Sequence, residues 1–215
     1  MKNLVILIVL SVLLISCQKK EQNPVAPVES NNKVTDYYPL TIGNYWIYEF
    51  SQGDSSSNLT YQNKIDSIYV EKDSLINGKI FKVLKSTLLQ QTTLIRDSSD
   101  YIVSSDGQKI FSINPAIDIL SEQYLPANDS SYLLVWKMKG IDSVFNCPLG
   151  QYLSKYVLGT LTQIKPSAIS NIKERNIFSA YSKGIGMVGR RATYLFGGQL
   201  LEWKLLRYKI NEKIN

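Results

Sequence analysis

Short runs in which aromatic or branched apolar residues alternate with polar ones constrain the fold of this 215-residue chain more than any other feature. The clearest run covers residues 44–50, where Trp46, Tyr48 and Phe50 occupy every second position. Successive side chains of an extended strand point to opposite faces, so a period of two indicates a strand with one buried face. This run therefore predicts a half-buried strand.

Tight-turn pairs separate several of these runs. Asn77-Gly78 lies between two strand-like segments, and this pair favours the two positive φ angles of a type I′ hairpin turn. A two-residue loop at that point places Asp73 opposite Lys82. Asp106-Gly107 gives a second hairpin signal between runs of the same kind.

The remaining strands follow from the same pattern. They are predicted over residues 59–70, 79–84, 88–96, 101–104, 109–113, 132–139, 152–162, 177–181, 187–196 and 200–210. In the last of these the apolar positions change parity near Leu205-Leu206, which predicts a β-bulge there. Residues 114–131 are predicted to form a loop with at most one helical turn, and residues 166–175 a short helix.

Many short strands, tight turns and few helix signals predict a mainly β fold. The expected architecture is a single curved antiparallel sheet or a half-open β-barrel, built as a meander with at most one or two short helices. No internal repeat is visible.

The N-terminus has the three parts of an export signal: the positive charge of Lys2, an apolar run over residues 4–15, and small Ser16 before Cys17. The apolar run is shorter than the roughly 20 residues that a membrane-spanning helix needs. Leu14-Ile15-Ser16-Cys17 resembles the lipobox of bacterial lipoproteins, which implies that Cys17 receives the lipid and becomes the mature N-terminus. An ordinary signal peptide cleaved elsewhere is the alternative.

The chain then divides into three parts. Residues 1–16 are predicted to be a lipoprotein signal peptide, residues 17–36 the lipidated Cys17 and a flexible tether, and residues 37–215 a single β-rich domain. The stretch after Cys17 contains no aromatic residue and no apolar periodicity, as a solvated linker would. The predicted location is the bacterial cell envelope, on an outer membrane and facing either the periplasm or the cell surface.

Charge and residue types narrow the function. The net charge of +6 is spread along the chain, up to Arg190-Arg191, and is predicted to lie on a solvated surface. A nucleic-acid partner is not expected, because such proteins cluster their basic residues. The chain has no histidine, which excludes histidine triads and two-histidine metal sites. No metal, cofactor or catalytic residue is predicted.

Two further residue types have a structural and a chemical interpretation. Cys147 has no intramolecular partner once Cys17 is lipidated, and its surroundings predict a small core or loop residue rather than a reactive thiol. Glycosidase-like carboxylate pairs stay formally open, although most acidic residues are predicted in turns or on outer faces. These residues include Asp54, Asp66, Asp73, Asp97, Asp100 and Asp106.

Residues 184–189 match the letters of the dinucleotide-binding pattern G-x-G-x-x-G. That fingerprint requires a helix after the glycines and an acidic residue about 20 positions later. Here the residues that follow, 190–196, have the composition of a strand, and no carboxylate is suitably placed. The glycines are therefore predicted to permit a bulge or a strand-entry turn.

Trp46, Tyr48 and Phe50 are the candidate ligand-facing residues. Strand alternation alone accounts for such an aromatic stripe, so core packing is the favoured interpretation. Lining of a ligand cleft is the alternative, and it requires an open concave face.

Three motifs resemble a family of bacterial secreted lipoproteins of unknown function that is sometimes labelled TapB-like. They are Tyr38-Pro39-Leu40 followed by Gly43 and Trp46-Ile47-Tyr48, the segment Tyr181 to Val188, and the closing strand Trp203 to Ile210. By analogy, the resemblance implies a curved, half-open barrel similar to that of LolA/LolB-like carriers, which hold acyl chains on a concave face.

The function expected from these features is that of a non-enzymatic envelope lipoprotein acting as an accessory or interaction module. The alternative is a LolA/LolB-like binder or carrier of lipid or another apolar ligand. The expected partners are the membrane, through the lipid on Cys17, and either envelope proteins or an apolar ligand. A continuous cavity with an open mouth favours the binder, whereas a filled barrel with an exposed apolar patch or a free edge strand favours the module.

Overall fold

The computed structural model describes residues 32–54, 58–114, 119–127, 130–165, 174–194 and 199–211. Within these ranges the chain forms one short helix and thirteen strands. They are α1 (Val34–Tyr37), β1 (Tyr45–Gly53), β2 (Leu59–Ile76), β3 (Lys79–Ser86), β4 (Thr92–Ser98), β5 (Tyr101–Ser104), β6 (Lys109–Ser112), β7 (Ile119–Ala127), β8 (Ser130–Met138), β9 (Ser143–Cys147), β10 (Gly150–Lys165), β11 (Glu174–Ser182), β12 (Gly186–Thr193) and β13 (Leu200–Lys209). None of the described residues forms a helix able to cross a bilayer.

The strands form one antiparallel sheet that is nearly closed into a barrel. Its order is β6-β5-β4-β3-β2-β1-β13-β12-β11-β10-β8-β7, and β9 pairs with β10 outside this path. The first and last strands pair with each other, so the ends of the sheet are β6 and β7, which are consecutive in the chain. The Gln123 side chain of β7 donates a hydrogen bond to the Gln108 side chain next to β6, which brings the two ends together. The predicted mainly β meander with at most one or two short helices is confirmed, and the described residues contain one.

Both predicted hairpins are present. Asn77 and Gly78 have φ angles of 48° and 74°, as a type I′ turn requires, and β2 and β3 pair directly across them. Asp73 lies opposite Lys82, and their charged groups are 2.5 Å apart. The second hairpin joins β5 and β6 through Asp106-Gly107.

The predicted bulge in the last strand is also confirmed. Ile47 of β1 pairs with Arg207 and Tyr48 pairs with Leu205, so Leu206 is the extra residue. The extra residue moves the following side chains to the opposite face, which explains the change of parity in the sequence.

The prediction of a loop over residues 114–131 is wrong. Residues 119–127 form β7, and β8 begins at Ser130. Pro126 made this segment resemble a loop, but β7 is the last strand of the sheet and pairs only with β8 among the described strands. A residue without an N–H group is tolerated in such an edge strand.

Two other segments differ from the prediction in extent. Strand β9, which was not predicted, covers residues 143–147, and β2 continues beyond residue 70 to Ile76. Most of the helix predicted over residues 166–175 lies outside the described residues, and its last two positions, Glu174 and Arg175, begin β11.

Aromatic residues of the N-terminal segment pack against the barrel interior. Val34 and Tyr37 of α1 are buried, and the Tyr37 ring lies 5.8 Å from that of Phe111. The Phe111 ring in turn lies 4.9 Å from that of Tyr181. Packing therefore begins at least at Val34, inside the segment that the sequence assigns to the tether.

Strand β9 covers part of the outer face of the sheet. Phe145 lies with Tyr156 and Phe178 in a cluster of rings whose centroids are 5.6 to 6.5 Å apart. A Cβ atom added at Gly189 would lie 2.0 Å from the Phe145 ring. The backbone of β12 therefore approaches this cluster so closely that only glycine fits at position 189. The glycines of residues 184–189 lie at the start of β12, as predicted, and the described residues that follow them directly form a strand instead of the helix that the dinucleotide-binding pattern requires.

Candidate functional site

The barrel interior contains a cavity of about 470 Å³. Strands from both halves of the sheet line it, from β2 and β3 on one side to β10 and β13 on the other. Asp66 and Trp203 form its buried part, whereas Leu89, which is 43% exposed, and exposed Gln91 lie on its rim. The cavity therefore opens to solvent at the turn between β3 and β4.

The walls of this cavity combine apolar and polar groups. The apolar part comes mainly from branched and aromatic side chains, among them Ile68, Leu84, Leu134, Trp136 and Val157. Polar side chains such as Thr93, Ser121 and Gln123 add hydrogen-bonding groups. Such a mixture suits a ligand that is partly apolar.

Asp66 lies in the interior, and its predicted place in a turn or on an outer face is wrong. The Ser86 hydroxyl donates to both carboxylate oxygens at 2.8 and 3.0 Å, the Leu88 N–H donates at 3.1 Å, and the Trp203 indole N–H donates at 3.1 Å. A buried carboxylate needs several donors to compensate for lost hydration, and here it has them. Asp66 lies two and four positions before Ile68 and Val70, so alternation along the strand places all three side chains on the same face. This spacing is a signal in the sequence that could have revealed the interior position of Asp66.

Arg190 is the second charged group of interest in the cavity. Its guanidinium carbon lies 5.5 Å from the centre of the Trp203 ring, whose N–H binds Asp66. The neighbouring Arg191 points to the other face and forms an ion pair with Glu202 at 2.7 Å. The prediction that this arginine pair lies on a solvated surface is therefore wrong for Arg190, because strand alternation places consecutive side chains on opposite faces.

Three tyrosine hydroxyl groups lie near Arg190. Burial raises the pKa of Tyr38, Tyr48 and Tyr181, and the positive charge of Arg190 offsets part of that increase in all three. These phenols therefore keep their protons at neutral pH and act as hydrogen-bond donors. Tyr48 donates to the Met187 carbonyl at 2.9 Å.

Trp46, Tyr48 and Phe50 are buried on the inner face of β1. Trp46 is 3% exposed and its indole N–H donates to the Ile185 carbonyl at 2.6 Å, while Phe50 packs against Trp203 at 5.0 Å. Trp46 and Tyr48 border a void of about 30 Å³ next to the main cavity. The three residues belong to one packed cluster, and none of them lines the main cavity.

Neither cysteine is among the described residues that line this cavity. Cys17 is outside the described residues. Cys147 is half-buried at the end of β9, where its thiol lies 3.5 Å from the Gly150 carbonyl and burial raises its pKa. In the part of the chain that the structure describes, no group of three or more His, Cys, Asp or Glu residues could hold a metal ion.

No protein-family model and no curated protein matches this chain. Two crystal structures are similar to it. One is a candidate exported protein with a YmcC-like fold from Bacteroides fragilis, with 12% identity and a TM-score of 0.43, and the match covers 79% of this chain and 96% of that one. The other is a candidate lipoprotein from Parabacteroides distasonis, with 10% identity, a TM-score of 0.40 and the same coverage. Neither name mentions the TapB-like or LolA/LolB-like families, so that resemblance stays a prediction.

Proposed function

We propose that this protein is a non-enzymatic envelope lipoprotein whose barrel interior binds a small, partly apolar molecule. The observation that supports this function is the cavity of about 470 Å³ that reaches from buried Asp66 to the exposed rim at Leu89. Ligand sites in proteins typically occupy about 300 to 1,000 Å³ and combine apolar walls with a few polar groups. The cavity has both properties.

The chemistry of the cavity argues for binding rather than catalysis. Asp66 is the one carboxylate among the described lining residues, and three separate donors already occupy its oxygens. The nearby tyrosines hold their protons because burial raises their pKa. The described part of the cavity therefore has no second carboxylate that could act with Asp66 as an acid–base pair.

The test of this function is a cavity-filling substitution with a control on the next residue. Thr93 lines the cavity, and Thr92 is exposed on the opposite face of β4. Thr93→Trp should abolish binding of a neutral fluorescent probe such as N-phenylnaphthylamine, whereas Thr92→Trp should leave it unchanged. Failure of the parent protein to bind any apolar probe, together with no co-purified ligand in native mass spectrometry, would exclude the proposal.

The envelope location is tested separately through Cys17. Replacing Cys17 by serine removes the acceptor for the lipid, so the protein should move from the membrane fraction to the soluble fraction. The cavity should keep its probe affinity, because the substitution changes none of the described lining residues. A serine variant that stays with the membrane to the same degree would refute the anchor.

The interaction module is the second candidate function, and one exposed apolar surface favours it. Leu75 and Ile80 face each other across the β2–β3 hairpin and are 74% and 61% exposed. A photo-crosslinking residue at position 75 should then give one defined adduct in intact cells that is lost when Ile80 is replaced by serine. An adduct pattern that Ile80→Ser leaves unchanged would count against this surface.

A further inference from the structure

Four charged side chains line the described part of the cavity: Asp66, Lys85, Lys109 and Arg190. Two of them already have partners, but only the charge of Lys85 is neutralised, because the groups that donate to Asp66 are uncharged. Asp66 accepts hydrogen bonds from three groups, and Lys85 forms an ion pair with Glu71 at 2.6 Å. Arg190 and Lys109 together outweigh the negative charge of Asp66, so the net charge of the described lining residues is positive.

Of the two remaining charges, that of Arg190 lies beside the buried Trp203. None of the ion pairs between described residues involves it, and its contact is with the π face of Trp203. Lys109 lies over the Tyr101 ring, 4.1 Å from its centre. A guanidinium that rests on an aromatic face keeps its N–H groups available for an anion, and its planar geometry matches a carboxylate or a phosphate.

The surroundings of Arg190 would support such an anion. The hydroxyl groups of Tyr38 and Ser179 interact with that of Tyr181, and the Arg190 charge acts on both tyrosines. Ser179, Tyr181 and Arg190 all line the cavity. An anion in contact with the guanidinium would thus find neutral hydroxyl groups nearby, and Asp66, the one carboxylate among the described lining residues, already accepts hydrogen bonds from three other groups.

We propose that the ligand of the cavity is an amphipathic anion, a molecule with an apolar chain and a carboxylate or phosphate head, and that Arg190 binds its head. This inference rests on the proposed function, because it specifies the ligand class of the same cavity. The apolar chain would lie against the walls formed by Leu84, Leu134 and Trp136. The charged head would pair with Arg190 beside Trp203.

The test compares ligands that share a chain and differ in the head. The affinities of dodecanoate, dodecyl phosphate and dodecan-1-ol are measured by their displacement of N-phenylnaphthylamine from the purified protein. Inorganic phosphate is the control anion that has no chain. Both anionic chains should bind about tenfold more tightly than the alcohol, the effect of one charge-assisted contact. Arg190→Gln should remove this preference and leave dodecan-1-ol within about twofold of the parent protein.

Two further variants complete the experiment. Arg207→Gln removes the same charge from an exposed position on β13 and should change nothing, and Arg190→Lys should retain part of the preference. If Arg190→Gln does not fold, the comparison is made between the parent protein and Arg190→Lys. A ratio of dodecanoate affinity to dodecan-1-ol affinity that is smaller in Arg190→Lys than in the parent protein supports the inference, and an equal ratio contradicts it.

Each unfavourable result has a distinct meaning. Equal affinity for the anions and the alcohol, with the dye still bound, would overturn the inference and leave the proposed function intact. Displacement by inorganic phosphate as strong as that by dodecyl phosphate would overturn the amphipathic ligand class. Failure of the dye and of every chain to bind would reject the proposed function itself.

Discussion

Replacing Trp46 by alanine tests whether the aromatic stripe of β1 is packed core. The indole is 3% exposed, and its N–H donates at 2.6 Å to the carbonyl of Ile185, the residue just before β12. A Cβ atom built on Gly186 would lie only 3.0 to 3.2 Å from the indole atoms, which shows how closely the backbone of β12 approaches the ring. Removal of the ring would therefore leave a cavity that the surrounding backbone fills only in part.

The expected cost follows from these contacts. Truncation of a buried tryptophan typically lowers the free energy of unfolding by about 3 to 5 kcal/mol. Trp46→Phe keeps most of the apolar ring and removes the hydrogen bond to Ile185, which should cost about 1 to 3 kcal/mol. For a chain of this size, the alanine variant should lower the melting temperature by about 6 to 20 °C.

The measurement is urea and thermal unfolding of the parent protein and three variants. Tyr45→Ala is the control, because Tyr45 is the adjacent aromatic residue on the other, half-exposed face of β1, and its loss should cost less than that of Trp46. A Trp46→Ala variant within about 1 kcal/mol of the parent protein would refute the packed-core interpretation. Unchanged stability together with weaker ligand retention would instead indicate that the ring faces a ligand.

Three more predictions concern the same barrel. Gly189→Ala should destabilise the protein by about 1 to 3 kcal/mol in urea, because the new methyl group meets the Phe145 ring, and a Phe145→Leu second substitution should recover part of the loss. A result equal to the parent would contradict this close approach. Asp66→Asn should lower the free energy of unfolding by at least about 1.5 to 3 kcal/mol, since it weakens a charge-assisted hydrogen-bond set, and unaltered urea unfolding would argue against that set. Burial raises the pKa of Tyr48 and Tyr181 in the folded state, so the unfolded state loses these protons at a lower pH. The free energy of unfolding should therefore be unchanged below about pH 10 and should fall above it. Thermal melts at increasing pH measure this decline, and a melting temperature that stays constant above that pH would contradict it.

Local features of the sequence were sufficient to predict the hairpins and the bulge. Asn77-Gly78 determines two positive φ angles by its own chemistry, and the paired strands on either side follow from alternation. The bulge at Leu206 was predictable for the same reason, because a change of apolar parity within a strand requires an extra residue. Each of these features depends on fewer than about ten neighbouring residues, within reach of pattern reasoning.

The closure of the sheet depends on pairing that no local pattern contains. The first strand pairs with the last, and Tyr45 lies opposite Lys209 across most of the chain. Alternation states that both segments are strands but not which strands are neighbours. The edge strand β7 was missed for a related reason, since Pro126 is acceptable only because one side of that strand has no partner among the described strands.

The two charged residues of the interior show that the position of a residue in the alternating pattern predicts its burial better than its residue type does. Asp66 and Arg190 are both charged, and charged residues lie mostly on surfaces. Their parity nevertheless places Asp66 with Ile68 and Val70, and Arg190 opposite Trp203 in the β12–β13 pairing. Parity was the stronger signal at both positions, because a strand cannot turn a single side chain to the other face without a bulge.

Asp66 also fixes the mouth of the cavity through its hydrogen bonds. Its donors come from β3, from the turn that follows β3 and from β13, and Ser86 in turn accepts the Leu89 N–H at 3.1 Å. The same carboxylate therefore holds the rim turn and the Trp203 indole on which Arg190 rests. A ligand that enters past Leu89 would meet a rim and an arginine platform fixed by one hydrogen-bond network, so little ordering free energy would be lost on binding. Loosening that network should weaken binding of charged and neutral ligands alike, whereas loss of the Arg190 charge should affect only the charged ones.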